Sequence, residues 1–325
     1  MRRPLLLSVL AVLAAAAFSP SQSMRIGEIE FYGYAGLDPT AIRASLPVHE
    51  GDEFSEDEMP KLIEKLKQVT KAPSIATVCC DDRGNWMLYI PLPGKSVRNV
   101  PYNGAPEGTA NLPKTIADLY GQFQDALMQA VQKGAGAEDD SKGYALTADP
   151  ATRAKQLAMR DYAIAHESLL RRVLESSSDS GQRAVAAQLM GYTRQSRKQI
   201  DALVRASHDP DDTVRNNAVR ALWVLAMSSP KMAAQIPASG FIEMLYSNSW
   251  SDRNKPSLLL EVLTRSRDPR MLREICAEAR EPLLEMARWR NIGHASAARL
   301  ILGRCAGIEE ARLQKLIETG ALRPQ

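Results

Sequence analysis

One helix–turn–helix pattern returns several times in the second half of this 325-residue chain. Residues 197–226 carry it most clearly, as two apolar helical stretches on either side of a turn at 208–213. Matching positions lie 32 residues earlier and 38 residues later, at Arg183, Ala186, Leu189 and Met190 and again at Arg253, Leu259, Leu260 and Leu263. A looser fourth copy contains Ala298, Ile301, Leu302 and Cys305. Because one helix pair cannot bury its own apolar stripe, the repetition predicts helix pairs that stack on one another.

The best copy contains the stretch Asp209-Pro-Asp-Asp-Thr-Val-Arg215 in its turn. With the flanking helices, this stretch resembles a HEAT repeat. The later copies are less regular, and Pro256 stands where the better copy has an alanine. The resemblance implies HEAT-like helical repeats over residues 151–325, with an extended concave surface for binding. It also implies that Arg215 pairs with a turn aspartate of a neighbouring repeat.

A different pattern precedes these helices at residues 24–94. Strand-like runs near 26–32, 74–80 and 86–90 enclose two helices, the first capped by Asp38 and the second by a Ser55 and Glu58 capping box. In the first run, Ile29 and Phe31 alternate with polar neighbours, which predicts one apolar and one solvated sheet face.

This strand–helix–helix–strand–strand order resembles a POTRA domain. The resemblance rests on the stretch 26–33, on Leu37 and Asp38 followed by Ile42 and Leu46, and on the stretch 50–54. The fold class predicted is therefore an α+β N-terminal POTRA-like domain (β-α-α-β-β) followed by an all-α HEAT-like solenoid. The edge at Ser74 to Cys80 would accept an extended peptide by β-augmentation.

Between these parts, residues 95–150 are predicted to be a linker with one helix. Its apolar stripe runs from Ile116 to Val131, and the segment from Lys133 to Pro150 is rich in Gly and Asp, which is typical of a flexible loop.

The N-terminus predicts export. Arg2 and Arg3 precede an apolar run from Leu5 to Phe18, which is shorter than the roughly 20 residues that a membrane-spanning helix needs. Residues 1–23 are interpreted as a signal peptide cleaved before Met24, with cleavage before Phe18 as an alternative. The predicted location is periplasmic or secreted. If the leader stays uncleaved, it would tether the protein to the inner membrane, which would be its only membrane contact.

Charge argues against a nucleic-acid partner. The whole chain carries a formal net charge of +3, and residues 24–94 carry seven basic and twelve acidic residues. A protein that binds nucleic acid through its phosphates needs a strong excess of positive charge.

No motif for catalysis, a metal or a small-molecule cofactor is present. Asp209, Asp211 and Asp212 lack the ligand spacing of a calcium loop and are interpreted as turn and cap residues. The four histidines, His49, His166, His208 and His294, are scattered without metal-ligand spacing.

The four cysteines form two different cases. Cys79 and Cys80 are adjacent on a predicted strand, so their side chains should lie on opposite faces, and we expect one or both to be buried without a bond between them. Cys276 and Cys305 each lie on an apolar helix stripe, and a disulfide between them is one of two open alternatives.

The candidate partner-binding residues are Trp223, Arg220 and Asn216, which share one side of a helix and include the aromatic and arginine types common at interfaces. Packing of Trp223 against the next repeat is the competing interpretation. The function predicted is an exported, non-enzymatic interaction or scaffold protein of the cell envelope that binds protein partners. The alternative is an enzyme or enzyme accessory protein with a site on the helical repeats.

Overall fold

The computed structural model describes residues 24–319 and 321–322. The predicted leader, 1–23, lies outside the described residues. The N-terminal part contains a small mixed sheet, and the remainder of the described chain is mostly helical.

The N-terminal elements follow the predicted order, with one short strand added. In chain order they are β1 (Met24–Tyr32), α1 (Pro39–Ala44), β2 (Glu53–Phe54), a 3-10 turn (Glu56–Glu58), α2 (Met59–Thr70), β3 (Ala76–Val78) and β4 (Trp86–Pro91). The strand order in the sheet is β2-β1-β4-β3. The central strands β1 and β4 are parallel, and both outer strands pair in the antiparallel sense. Strand β3 is therefore an edge strand, and it is shorter than the predicted run from Ser74 to Cys80.

The second face of the sheet differs from the prediction. As expected, Ile29 and Phe31 on one face pack with α1 and α2. The other face, predicted to be solvated, is buried against the helical part of the chain, where Glu30 is 7% exposed and Tyr32 is fully buried. Alternation along a strand separates two faces, but it does not reveal what covers the second one.

The helical part begins with α3 (Lys114–Gln132) and a hairpin of β5 (Glu138–Asp139) and β6 (Leu146–Thr147). The segment expected to be a flexible loop thus contains an ordered hairpin, whose Leu146 and Thr147 are buried. The remaining helices are α4 (Pro150–Ser176), α5 (Ser180–Met190), α6 (Arg197–Ala206), α7 (Asp212–Ser228), α8 (Pro230–Ala233), α9 (Ser239–Met244), α10 (Trp250–Thr264), α11 (Pro269–Glu278), α12 (Arg280–Ala287), α13 (Ile292–Cys305) and α14 (Glu310–Glu318).

Successive helices pack side by side along this part. Helix α5 contacts α7, α7 contacts α10, and α10 contacts α13, while α6, α9 and α12 pack beside α7, α10 and α13 respectively. Asp211 caps α7 as predicted, since it accepts hydrogen bonds from the backbone N–H groups of Thr213 and Val214 at 3.0 and 3.1 Å. Asp209 accepts a hydrogen bond within the turn from the Asp211 N–H at 2.9 Å.

Three buried arginines repeat one arrangement along these helices. Arg183, Arg215 and Arg253 each donate to the backbone carbonyl six residues earlier, at 2.8 Å in every case. Each also pairs with a carboxylate further along the chain, respectively Asp209, Asp252 and Glu285. The pairing expected for Arg215 with a neighbouring repeat is confirmed in kind, although its partner Asp252 lies in the first turn of α10 and not in a turn between helices.

The last of these pairs, Arg253–Glu285, also attaches the sheet to the helices. The Glu285 carboxylate, 2% exposed, accepts hydrogen bonds from the backbone N–H of Gly33 at 2.6 Å and of Ala35 at 2.9 Å. It also accepts one from the Ser96 hydroxyl in the connector. Nearby, the Trp289 indole N–H donates to the Phe31 carbonyl at 3.0 Å.

Glu285→Gln is expected to lower the free energy of unfolding by about 3 to 5 kcal/mol, because it leaves the buried Arg253 guanidinium without its counter-charge. Urea unfolding followed by far-UV circular dichroism measures the change. Glu281→Gln, an exposed position on the same helix, is the matched control and should stay within about 0.5 kcal/mol of the parent. Equal unfolding midpoints for the two variants would contradict the expectation.

Cys276 and Cys305 form a disulfide between α11 and α13, with Cα atoms 5.7 Å apart. This resolves the alternative left open by the sequence, because both cysteines face each other from neighbouring helices. Cys79 and Cys80 are also bonded, to each other, and both are half-buried. The expectation of opposite faces was wrong because β3 ends at Val78, so the alternation of a strand does not reach them.

Replacing both Cys276 and Cys305 with serine is expected to reduce stability by about 3 to 4 kcal/mol in the chain-entropy account, because the bridge closes a long loop in the unfolded chain. The Cys79→Ser/Cys80→Ser variant is the control, since its bond joins neighbours in sequence and closes no long loop. Denaturant unfolding without reductant should separate the two double variants. If both unfold at the same denaturant concentration, the stabilising role of the Cys276–Cys305 bridge is refuted.

Candidate partner-binding groove

A groove of about 1060 Å³ runs across the ends of β1, β3 and β4 and is bounded on its other side by the last turns of α3. Met24 and Trp86 contribute the beginnings of two adjacent parallel strands. Met128 and Val131 contribute the helix side. The C-terminal end of α3 faces the sheet across this groove.

Apolar side chains form much of the groove. Met59 at the start of α2 joins Met24 and Trp86 on the sheet side, and all three also pack on the apolar core between the sheet and α2. On the helix side, Met128 and Val131 are 47% and 38% exposed. Large apolar side chains with this much exposure, gathered in one concave surface, are typical of a binding site.

The charged residues of the groove are mainly acidic. Arg25 forms an ion pair with Glu53 at one end. Asp81 and Asp82 lie in the turn between β3 and β4. Asp81 accepts hydrogen bonds from the backbone N–H groups of Arg83 and Asn85 at 2.9 and 2.8 Å. Burial alone would raise the pKa of Asp81, but the hydrogen bonds from Asn85 and Arg83 outweigh it and hold the pKa below its usual range, so the carboxylate stays ionised.

The free edge of the sheet reaches the groove. Strand β3 pairs with β4 alone in the sheet of the described chain. Its Thr77 and the adjacent Cys79 line the groove, whereas Ala76 and Val78 pack towards the helices. The Cys79–Cys80 disulfide forms part of the wall next to the acidic turn.

The three residues proposed from sequence, Asn216, Arg220 and Trp223, lie on α7 and do not line this groove. All three are half-buried. The Arg220 guanidinium forms an ion pair with Glu138 of the β5–β6 hairpin, Asn216 donates to Asn217 Oδ1 at 3.3 Å, and Trp223 packs against the main core. Their role in partner binding stays a prediction, although the Arg220 charge already has a partner within the chain.

The sequence did not predict that Met59, Met128 and the acidic turn lie together in one groove. Val131 was assigned to the apolar stripe of α3, and Met59 begins a similar stripe with Leu62, Ile63 and Leu66 in α2. Such stripes face a core in most helices. The one available signal was Met128, an apolar residue next to the stripe of α3 that widens the apolar surface at the C-terminal end of the helix.

The buried aromatic group around His294 lies at the interface between sheet and helices. His294 Nδ1 is 2.5 Å from the Tyr89 hydroxyl, and its ring packs against those of Tyr89 and Trp250. Burial, with a smaller effect of the Lys255 charge, lowers the pKa of His294 to about 4. Burial also lowers the pKa of Lys255, to about 8, with a contribution from Arg220.

His294 is expected to make the fold weaker in acid. The folded protein keeps it neutral down to about pH 4, whereas the unfolded chain takes up a proton near pH 6.5, so its contribution to stability falls as the pH drops through this window. In His294→Gln, stability should therefore fall less steeply between pH 7 and pH 4 than in the parent. His49→Gln, at an exposed histidine, is the control. Parallel pH profiles for the parent and His294→Gln would rule the expectation out.

Comparisons with protein-family models, with curated proteins and with solved structures found no match to this chain. In the part of the chain that the structure describes, no helix has both the length and the apolar character needed to cross a bilayer. Within residues 24–319 and 321–322, no group of three His, Cys, Asp or Glu side chains could hold a metal ion.

Proposed function

We propose that this chain is an exported, non-enzymatic interaction protein of the cell envelope, built from a POTRA-like unit and a HEAT-like helical array. The leader pattern in residues 1–23 supports export. The strand–helix–helix–strand–strand order supports the POTRA-like part. The repeated arginine arrangement at 183, 215 and 253 supports the HEAT-like part, because a device that recurs at matching positions is the mark of a repeat.

The observation that carries the proposal is the groove in which an open sheet edge meets exposed apolar side chains. Strand β3 offers unpaired backbone groups, and Met128 and Val131 offer apolar surface opposite to it. An added peptide strand gains affinity from backbone hydrogen bonds and specificity from side chains that enter the neighbouring surface. The groove therefore suits a segment of another polypeptide.

The helical array has the second role in the proposal. A stacked array presents an extended surface on which another protein can lie. The region around Trp223 contributes less to partner binding than the groove does, because the Arg220 charge is already paired with Glu138 of the hairpin.

Photo-crosslinking in intact envelopes tests this function. A photoreactive amino acid at Thr77 or Met128 is expected to crosslink the same protein partner. The same probe at Leu157, which is also exposed but lies on α4 away from the groove, should not crosslink it. The partner is then identified by mass spectrometry and purified.

Affinity measurements with that purified partner complete the test. Met128→Asp places a charge in the apolar surface and is expected to weaken binding about tenfold or more. Leu157→Asp is the matched control and should bind as the parent does. Crosslinks of equal yield at all three positions, or unchanged affinity in Met128→Asp, would refute the groove as the binding site.

A further inference from the structure

The groove has a charge pattern that specifies the chemistry of its partner, an inference that rests on the proposed function. We infer that the groove binds a peptide segment with an apolar centre and flanking lysine or arginine residues. The apolar centre would lie against the methionines and Trp86, and the basic flank would face the acidic turn between β3 and β4.

The first argument is the unbalanced negative charge at that turn. Arg25 and Glu53 pair with each other, so the remaining side-chain charges in the groove lining are Asp81 and Asp82. Arg83 in the same turn does not line the groove, although its charge acts on Asp81. Cleavage before Met24 would place one α-ammonium group at the groove, which still leaves the lining net negative. A basic peptide would therefore gain from this excess of negative charge, and an acidic peptide would be disfavoured by it.

The second argument is the orientation of α3. This helix of 19 residues ends at the groove, and the carboxyl end of a helix carries partial negative charge. Its last turn contains no basic residue. The Lys133 that follows is the C-cap residue of α3, so its charge offsets part of this partial negative charge, and it does not line the groove. The helix end therefore adds no net positive charge to the groove lining, and Asp81 and Asp82 dominate its potential.

The third argument is the kind of apolar side chain present. Met24, Met59 and Met128 come from three separate elements. Methionine is unbranched and polarizable, so a methionine surface adapts to different apolar side chains. The groove would thus select the charge of the flanks more strictly than the sequence of the apolar centre.

Three fluorescent peptides of equal length test the inference on the full chain by anisotropy. They share one apolar centre of Leu, Val and Ala and carry two Lys, two Gln or two Glu at each end. The Lys peptide is expected to bind about tenfold more tightly than the Glu peptide, with the Gln peptide between them, since exposed ion pairs each contribute modestly. Raising the salt concentration from 50 mM to 500 mM should shrink this preference, because salt screens exposed charges.

Substitutions in the groove identify the residues that produce the preference for the Lys peptide. Asp81→Asn/Asp82→Asn is expected to abolish the preference for the Lys peptide while retaining binding of the Gln peptide. Asp57→Asn, an exposed acidic residue of the same unit that does not line the groove, is the matched control. Because Asp81 also organises its turn, Asp82→Asn alone serves as the second variant and should lower the preference about twofold to fivefold. Met128→Asp should weaken binding of the Gln peptide.

The possible results separate a failure of the charge inference from a failure of the proposed interaction function. Equal binding of the three peptides, tighter binding of the Glu peptide, or a Lys preference that survives in both aspartate variants would overturn the charge inference and leave the interaction function standing. Gln-peptide binding that is unchanged in Met128→Asp would place the peptide outside the groove and also overturn the inference. Failure of all three peptides to bind would overturn the inference and count against the groove as a peptide site.

Discussion

The buried ion pair between Arg253 and Glu285 joins the sheet, the connector and the helices through a single carboxylate. Its carboxylate accepts hydrogen bonds from α10, from the chain that leaves β1 and from the connector that follows β4. A buried carboxylate without such donors would be strongly unfavourable, so these three segments cannot separate without exposing or stranding the charge. The sheet is thereby fixed to the helices by the same kind of arginine pair that joins α5 to the turn before α7 and α7 to α10.

This attachment places the sheet between two layers, with α1 and α2 on one face and the helical part on the other. The free edge β3 and the end of α3 then face each other across the groove at fixed positions. A binding surface made from two elements that are each held by a buried core needs little ordering when a partner arrives. The methionine side chains that line the groove add adaptability to this frame, because methionine is unbranched and has several rotatable bonds.

Local patterns predicted much of this fold, and long-range contacts explain where they failed. The helix stripes, the cap at Asp211 and the repeated arginines depend on spacing within a few dozen residues, and the structure contains them. The burial of Tyr32 and Glu30 depends on residues more than 200 positions away, such as Asn248 and Arg290, and alternation in β1 carries no information about them. The groove was missed for the same reason, since Met24, Trp86 and Met128 belong to separate local patterns.

The polar side chains of β1 illustrate how a solvated-looking face can become an interface without losing its polar character. Glu30 pairs with Arg290, and the Tyr32 hydroxyl donates to the Asn248 carbonyl at 2.7 Å. Burial of polar groups costs little free energy when each finds a partner, so the alternating sequence suits an interface with charged helices as well as it suits water. An alternating strand in a chain that also contains a large helical part is therefore a candidate middle layer of the fold.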